Sequence, residues 1–485
     1  MKRAQRILSW ILSASLLAGS AGCSSSKPSG SAAPPASAAS GGAAASSAVS
    51  SAPEAQPWDK YEPVDLKGRT ITIAYNWQHI PSVTTEKLDS KTVTKGEIQD
   101  MKNMQRIEKK YNCKIKYINI PYDQLYKKLT ASVMAGAPCA DLITQASGMV
   151  MNGIKSNMIE DLDKIFPKNA DIINDQKFVV PAKFFGKTYA MNTYNIGTNG
   201  GGIGFNRDLI KKIGVEMPDD LYEKGEWNWD NFLKIAKAAT LDTNGDGKND
   251  QWGLGGIPYN LMPQFIASNG GYLFDGENME TGLDNPKTVE AFNLFNTLYN
   301  VEKVAYLKNT KGDWWSDKTS EDFKNGNIAM FYIELYMIPS EAPKLSFQIG
   351  FVPTPKGPSD TEGKSWMRCD GGMVIPKGVS DPTVVYQIFE ELASPWGSDF
   401  ETRDKDAKKW LEKCFPTEKD IGRYQKNSLE LYKLDYSSAI EDWSCNSVIS
   451  NIIRNGDTVA KAVKENKQQS QAKIDTTMKA IKAQK

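Results

Sequence analysis

Lys114-Ile115-Lys116-Tyr117-Ile118-Asn119-Ile120 is followed by Asp123 to Ala135 and then by Ala140-Asp141-Leu142-Ile143-Thr144. The first run alternates polar and apolar residues, the two-residue period of a strand. Between Asp123 and Ala135, Leu125, Leu129, Val133 and Met134 fall on one side of a helix. The third run is short, apolar and strand-like. Working outward, Thr70 to Tyr75 (TITIAY) reads as a buried first strand, and Glu97 to Tyr111 has helical spacing. Strands that alternate with helices make an α/β layer around a largely parallel sheet. Ligands of such sheets sit beyond the carboxyl ends of the strands. Here those ends are Tyr75-Asn76-Trp77 and Thr144-Gln145-Ala146-Ser147.

The 485 residues suffice for two or three domains. Charged residues make up 24% and the formal net charge is +1, so no field favours nucleic acid or an acidic membrane as the main partner. The chain's ends differ from its middle. Lys2, Arg3 and Arg6 precede the apolar run Ile7 to Ala18, too short for a membrane span of ~20 residues and suited to a signal peptide. Ser20-Ala21-Gly22-Cys23 then resembles a bacterial lipobox, with Ser20 where Leu is usual. That resemblance implies removal of residues 1–22 and a diacylglycerol, with palmitate-type chains, on Cys23. Ser24 to Pro57 is almost entirely Ser, Ala, Gly and Pro. It cannot bury a core and reads as a tether with a root-mean-square span of roughly 30 Å. No later stretch is apolar enough to cross a bilayer, so anchoring rests on Cys23.

Cys113, Cys139, Cys369, Cys414 and Cys445 are widely and irregularly spaced, which suits small buried hydrophobes rather than a disulfide framework or a zinc site. Asn199-Gly200-Gly201-Gly202 permits large backbone changes and reads as a hinge crossing or a tight loop. A more helical half follows. Ile349 to Pro353 reads as a strand returning towards the first half, and Ser447 to Lys485 as polar helix packed on the outside.

Several segments, in order, resemble the bacterial extracellular solute-binding proteins of the family 1 type, the sugar-binding receptors of ABC importers. They are Met134-Ala135-Gly136-Ala137-Pro138 with Ala140-Asp141-Leu142-Ile143, Gly204 to Leu209, Trp227 to Phe232, Ser268-Asn269-Gly270-Gly271, Phe323 to Met330, Val352 to Pro358 and Val374 to Gly378. The likeness runs from about Thr70 to about Pro395. It implies a two-lobe periplasmic-binding-protein-like fold with crossing hinge strands and a ligand cleft between the lobes. Lobe 1 is expected at 58–200 and 353–410, and lobe 2 at 201–352 and 411–485. The function implied is capture of a carbohydrate, most simply an oligosaccharide, by a monomer that delivers it to the importer's transmembrane subunits at the outer face of the cell membrane.

A sugar ring stacks its C–H face on aromatic planes while polar groups bond its hydroxyls. Aromatic candidates are Trp77 beyond the first strand, Tyr336 where the family often has a stacking Trp, Trp315 in a loop, and Trp366 beside Arg368 and Asp370 in a polar Gly-rich turn. Tyr259 and Trp443 are further aromatics of this kind. Trp227 and Trp229 read as staples at a helix start. Polar candidates are Gln145, Asn199, Arg368 and Asp370. An amide at Asn199 would bind neutral hydroxyls, whereas Arg368 could fork two hydroxyls or a carboxylate.

Asp242, Asn244, Asp246, the Lys248 carbonyl and Asp250 follow the D-x-N-x-D-G spacing of a calcium loop, with Gly253 where an EF-hand has its bidentate Glu. A structural calcium ion is expected there, with an Asx-rich turn as the alternative. No catalytic cofactor and no enzymatic activity are expected. His79 is the only histidine, so a triad would rest on it alone. Gly186-Lys187-Thr188 lacks the first glycine of a phosphate loop, because Pro181 stands there. The alternatives are a receptor of the same fold for a peptide or other solute and, behind it, a two-carboxylate surface glycoside hydrolase.

Overall fold

The computed structural model describes residues 60–76, 95–174, 176, 179–193, 201–275, 278–308, 314, 319–334, 345–360, 363–368, 371–394, 400–429, 432–435, 437, 439–440 and 444–483. In chain order its strands are β1 (Arg69–Tyr75), β2 (Cys113–Asn119), β3 (Leu142–Gln145), β4 (Val179–Phe184), β5 (Lys187–Thr193), β6 (Gly201–Asn206), β7 (Trp252–Gly255), β8 (Phe274–Asp275), β9 (Glu280–Thr281), β10 (Ile328–Glu334), β11 (Ile349–Val352), β12 (Ser365–Arg368), β13 (Gly372–Val374) and β14 (Tyr432–Asp435).

Two main sheets result. The first has the order β2-β1-β3-β13-β5-β4. β1 runs parallel to β2 and β3, and β13 lies antiparallel between β3 and β5. The sheet is covered on both faces; its inner strand β3 is buried throughout, whereas the edge strand β2 keeps its alternation. Ile71, Ile73 and Leu142 pack with Ile107, Tyr111, Tyr386 and Phe389. Ala74 and Ile143 face the other way, against Leu125, Leu129, Val150 and Met151. Helices Lys95–Lys110, Tyr122–Met134, Ser147–Lys155 and Pro382–Leu392 supply these partners.

The second sheet has the order β11-β6-β10-β7, with β6 antiparallel to both neighbours and β7 parallel to β10. One face holds Ile203, Phe205, Leu254, Met330 and Tyr332 against helices Trp229–Ala239, Pro258–Ala267 and Pro286–Asn296. The other holds Phe331, Ile333, Ile349 and Phe351 against Leu411, Phe415 and Tyr424. The fully buried Asp420 accepts hydrogen bonds from Arg207, Arg423 and the Phe351 backbone N–H, so an ionic knot pins β11 to this group. Removing one partner from such a knot leaves an uncompensated buried charge.

Two expectations shift. Ile349 to Val352 does not return to the first sheet but stays beside β6. The Trp227 indole N–H donates to the Pro353 carbonyl and holds the next residues there as well. The chain enters the first sheet only at Gly372, and Leu411 and Cys414 of helix Phe400–Cys414 pack with the second sheet, so the segment 353–410 is divided between the two groups. The C-terminal helices Ser444–Asn455 and Val459–Lys482 are not merely external. Val448, Ile449, Ile452, Ala462 and Val463 close the core of the second group. Their apolar residues recur at helical spacing, and burial of that stripe outweighs the polar composition.

Cys113, Cys414 and Cys445 are buried and Cys139 is half-buried. Burial pushes the Cys113 thiol up to about 11 and the Cys414 thiol up to about 12, so neither is a thiolate at neutral pH. Cys369 lies outside the described residues. Among the described residues no helix is long and apolar enough to cross a membrane.

Candidate ligand-binding site

Strand direction decides where a site can form. In the first sheet the carboxyl ends of β1, β3 and β5 and the amino end of β13 share one edge. Gln145 ends β3 and is only 2% exposed. Among the described residues neither its Oε1 nor its Nε2 has a hydrogen-bond partner. Asn76, just past β1, has its Oδ1 buried and, among the described residues, unpartnered too. An amide left in this state costs roughly 1–3 kcal/mol, so its retention calls for a reason. Tyr75 packs its ring 6.1 Å from that of Tyr117, and burial pushes its phenol up to about 12. Asn192 donates from Nδ2 to the Gly371 carbonyl and ties β5 to the entry of β13.

In the second sheet the carboxyl ends of β7, β10 and β11 and the amino end of β6 share an edge. Beyond β7 comes helix Pro258–Ala267, with proline at its first position. Tyr259 is its second residue. Its ring lies 5.0 Å from that of Trp314, and its hydroxyl is 3.2 Å from Ser450 Oγ. The Arg454 guanidinium covers the buried Trp314 ring at 4.1 Å, a cation–π contact. Ser450 and Arg454 stand one turn apart on helix Ser444–Asn455 and so reach the same aromatic pair.

The chain passes between the two groups at these edges. β5 ends at Thr193 and β6 begins at Gly201. β12 packs beside β6 and leads to Gly371. β14 pairs parallel with β12, and soon after it Ala439 is in the first group's core. Three passages between two α/β groups is the arrangement of two lobes facing one another across a cleft.

Residues 95–397 match the family model described as bacterial extracellular solute-binding protein. The chain belongs to this family. No curated protein matches the sequence of this solute-binding protein. Among solved structures it is similar to an ABC substrate-binding protein from Listeria monocytogenes in complex with cycloalternan, at 20% identity and a TM-score of 0.56, covering 85% of this chain and 99% of that one. It is also similar to a cyclic alpha-maltosyl-1,6-maltose binding protein from Arthrobacter globiformis, at 14% identity and 0.58, covering 84% and 100%. A third is UgpB from Mycobacterium tuberculosis in complex with glycerophosphocholine, at 15% identity and 0.59, covering 84% and 99%. At these identities the likeness establishes the fold, which is the two-lobe α/β fold expected from the sequence.

Of the expected ligand-binding residues, Gln145 sits at the site edge of the first lobe. Trp366 and Arg368 lie on β12, and nothing is described of their side chains. Trp77, Asn199, Trp315, Tyr336 and Asp370 lie outside the described residues, as does Cys23. Described neighbours in the chain, namely Asn76, Gly201, Glu334 and Gly371, stand at the two facing edges. Trp227 and Trp229 are buried at the start of helix Trp229–Ala239, as staples should be. The sequence reading did not single out Asn76 as a ligand group, nor Trp314 and Arg454. Asn76 could have been found from its place after β1; the Arg454 contact joins segments that no local pattern connects.

In the exposed loop Asp242–Asp250 the carboxylates are occupied by the loop's own groups. Asp242 accepts from the backbone N–H of Gly245, Asp246 and Gly247, and Asn244 accepts from Asp246. Asp246 accepts from the N–H of Lys248. Asp250 accepts from the Thr243 hydroxyl and N–H, bonds that lower its pKa. Among the described residues no group of three or more His, Cys, Asp or Glu side chains is placed to hold a metal ion. As arranged, the loop is an Asx-type turn that closes on itself.

Proposed function

We propose that this solute-binding protein is a lipid-anchored extracellular receptor that captures a neutral oligosaccharide and delivers it to the transmembrane subunits of an ABC importer. One observation carries the choice of ligand: among the described residues the Gln145 amide, buried where β3 ends, has no hydrogen-bond partner on either polar atom, and Asn76 Oδ1, just past the end of the neighbouring β1, is buried without one too. An amide offers one donor and one acceptor without charge, which suits hydroxyls that both donate and accept. Trp77, Trp315, Tyr336, Trp366 and Tyr259 would stack on the sugar rings, and Asn199, Arg368 and Asp370 would bond their hydroxyls. Two of the similar structures, by their names, concern cyclic glucans, which supports a sugar; a third holds glycerophosphocholine, which makes a polyol phosphate the second reading. The ligand is bound and released unchanged, without catalysis.

Calorimetric titration of the purified full chain with maltotetraose, cycloalternan, cyclic maltosyl-maltose and glycerophosphocholine tests this. Stoichiometric binding of a glycan that is recovered intact is the expected result. Alanine at Trp77 or Tyr336 should weaken that binding by about 1–3 kcal/mol, the usual loss for a buried aromatic anchor. Binding of glycerophosphocholine alone would move the assignment to the second reading. Steady shortening of the glycan would replace the receptor with a hydrolase.

A further inference from the structure

Each of the three passages between the lobes has an end in the second lobe. The first passage meets that lobe at Gly201, where β6 starts. The second leaves it along β12, from Ser365. The third leaves it after helix Glu418–Leu429, along β14. β12 and β14 pair in parallel from Ser365 with Tyr432 to Arg368 with Asp435, so the second and third passages form one hydrogen-bonded ribbon. β6 belongs instead to the second lobe's sheet, between β11 and β10.

The Asn427 side chain ties β6 to that ribbon. It stands in the last turn of helix Glu418–Leu429 and is 1% exposed. Its Nδ2 donates to the Gly201 carbonyl at 2.9 Å, and its Oδ1 accepts from the Ser365 hydroxyl at 2.6 Å. One buried amide thus holds a group from the first passage and a group from the second, and its own helix leads into the third. Both bonds are buried, where a hydrogen bond is stronger than in water and a lost partner is costly.

The surroundings hold this arrangement in place. A Cβ at Gly201 would overlap the Tyr332 hydroxyl, which accepts from Gln264 Nε2. The helix that carries Asn427 is itself fixed to the second lobe. Ile421 and Tyr424 pack in its core, and Asp420 accepts from Arg207 and from the Phe351 N–H.

Two bodies joined by connections that bend separately can twist and slide as well as close. Connections locked together at one end confine them to a common rotation. The difference matters to a ligand that touches both walls, because its apparent affinity scales with the fraction of molecules that present both walls in register.

We propose that Asn427 couples the three passages, so that the lobes turn as two bodies about one shared axis. It is a positioning residue: it aligns the cleft walls through the passages. The proposal rests on the two-lobe fold and not on the identity of the ligand.

The test uses the full chain without ligand. Spin labels carried by unnatural amino acids replace Tyr122, which is 48% exposed just after β2, and the exposed Lys356 beyond β11. Pulsed dipolar spectroscopy then reads the spread of distances between the lobes. Asn427→Ala should broaden that spread while circular dichroism keeps its helical signal. Ser365→Ala removes one of the two bonds and should broaden it less. Asn427→Asp supplies a signature that lost packing alone would not give. Its carboxylate can accept from Ser365 but cannot donate to Gly201, whereas the protonated acid can do both. Burial raises the pKa of such an acid, so this variant should be broad at about pH 8 and narrow at about pH 5, with the wild type alike at both. If Asn427→Ala does not fold, Ser365→Ala and the pH dependence of Asn427→Asp decide. An unchanged spread in folded Asn427→Ala, or in both of the other variants, overturns the proposal.

Discussion

Gln145 at the carboxyl end of β3 pairs in register with Gly372 at the amino end of β13. Gly371, with φ of 86°, lies so close that a Cβ there would overlap the Gln145 carbonyl oxygen. Two segments far apart in the chain thus meet where the first lobe faces the cleft, next to the buried residue Gln145. An amide buried without hydrogen-bond partners is costly to keep.

Gln145→Leu separates that cost from a role in binding. Leucine fills a similar volume without unpartnered atoms, so stability should rise by roughly 1–3 kcal/mol. Ligand affinity should fall about tenfold or more, because the hydroxyls that the amide receives would lose their partner. Thermal melting and calorimetry on the same preparation read both. A stabilised variant with full affinity would remove Gln145 from the site.

The loop Asp242–Asp250 yields opposite outcomes for its two readings. As a self-closed turn, Asp242→Ala loses three backbone hydrogen bonds and should lower the melting temperature equally with calcium and with chelator. As an ion site, calcium should raise the wild-type melting temperature by mass action, and the variant should lose that rise.

Alkaline pH should unfold the protein. Tyr61 and Tyr386 both donate to Glu390, and their phenols are raised well above the ordinary range, first by burial and then by the nearby carboxylate. Tyr75 is pushed up to about 12 by burial. A folded-state pKa above the unfolded value of about 10 stabilises the fold fully below that pH. The contribution is lost as pH rises beyond it. Melting temperature should therefore fall above about pH 10. Phenolate absorbance from these tyrosines should grow only together with loss of helical signal.

Cys23→Ser should release the protein from the membrane fraction into the medium or leave it with an uncleaved signal. Fractionation of the native host reads this directly. A wild-type protein already fully soluble there would refute the lipid anchor.

Much of the local structure was legible in the residues. The period of two in Lys114 to Ile120 and the helical spacing of Leu125, Leu129 and Val133 became a strand and a helix within a residue or two of their expected ends. Local patterns are read this well because φ/ψ preference and the alternation of faces act between near neighbours. Trp227 and Trp229 were legible as staples for the same reason.

The sequence by itself determined the α/β class, the helix–strand order, the lipobox-like Cys23 and the amide at the end of β3. Tertiary structure alone decided that β13 enters between β3 and β5, that β11 remains with β6, and that the last helices complete a core. It alone placed Arg454 over Trp314 and brought the Phe185 ring to Phe274. Such choices depend on the summed burial of segments hundreds of residues apart. That burial outweighs a local preference at a single position, and no window of neighbouring residues contains it.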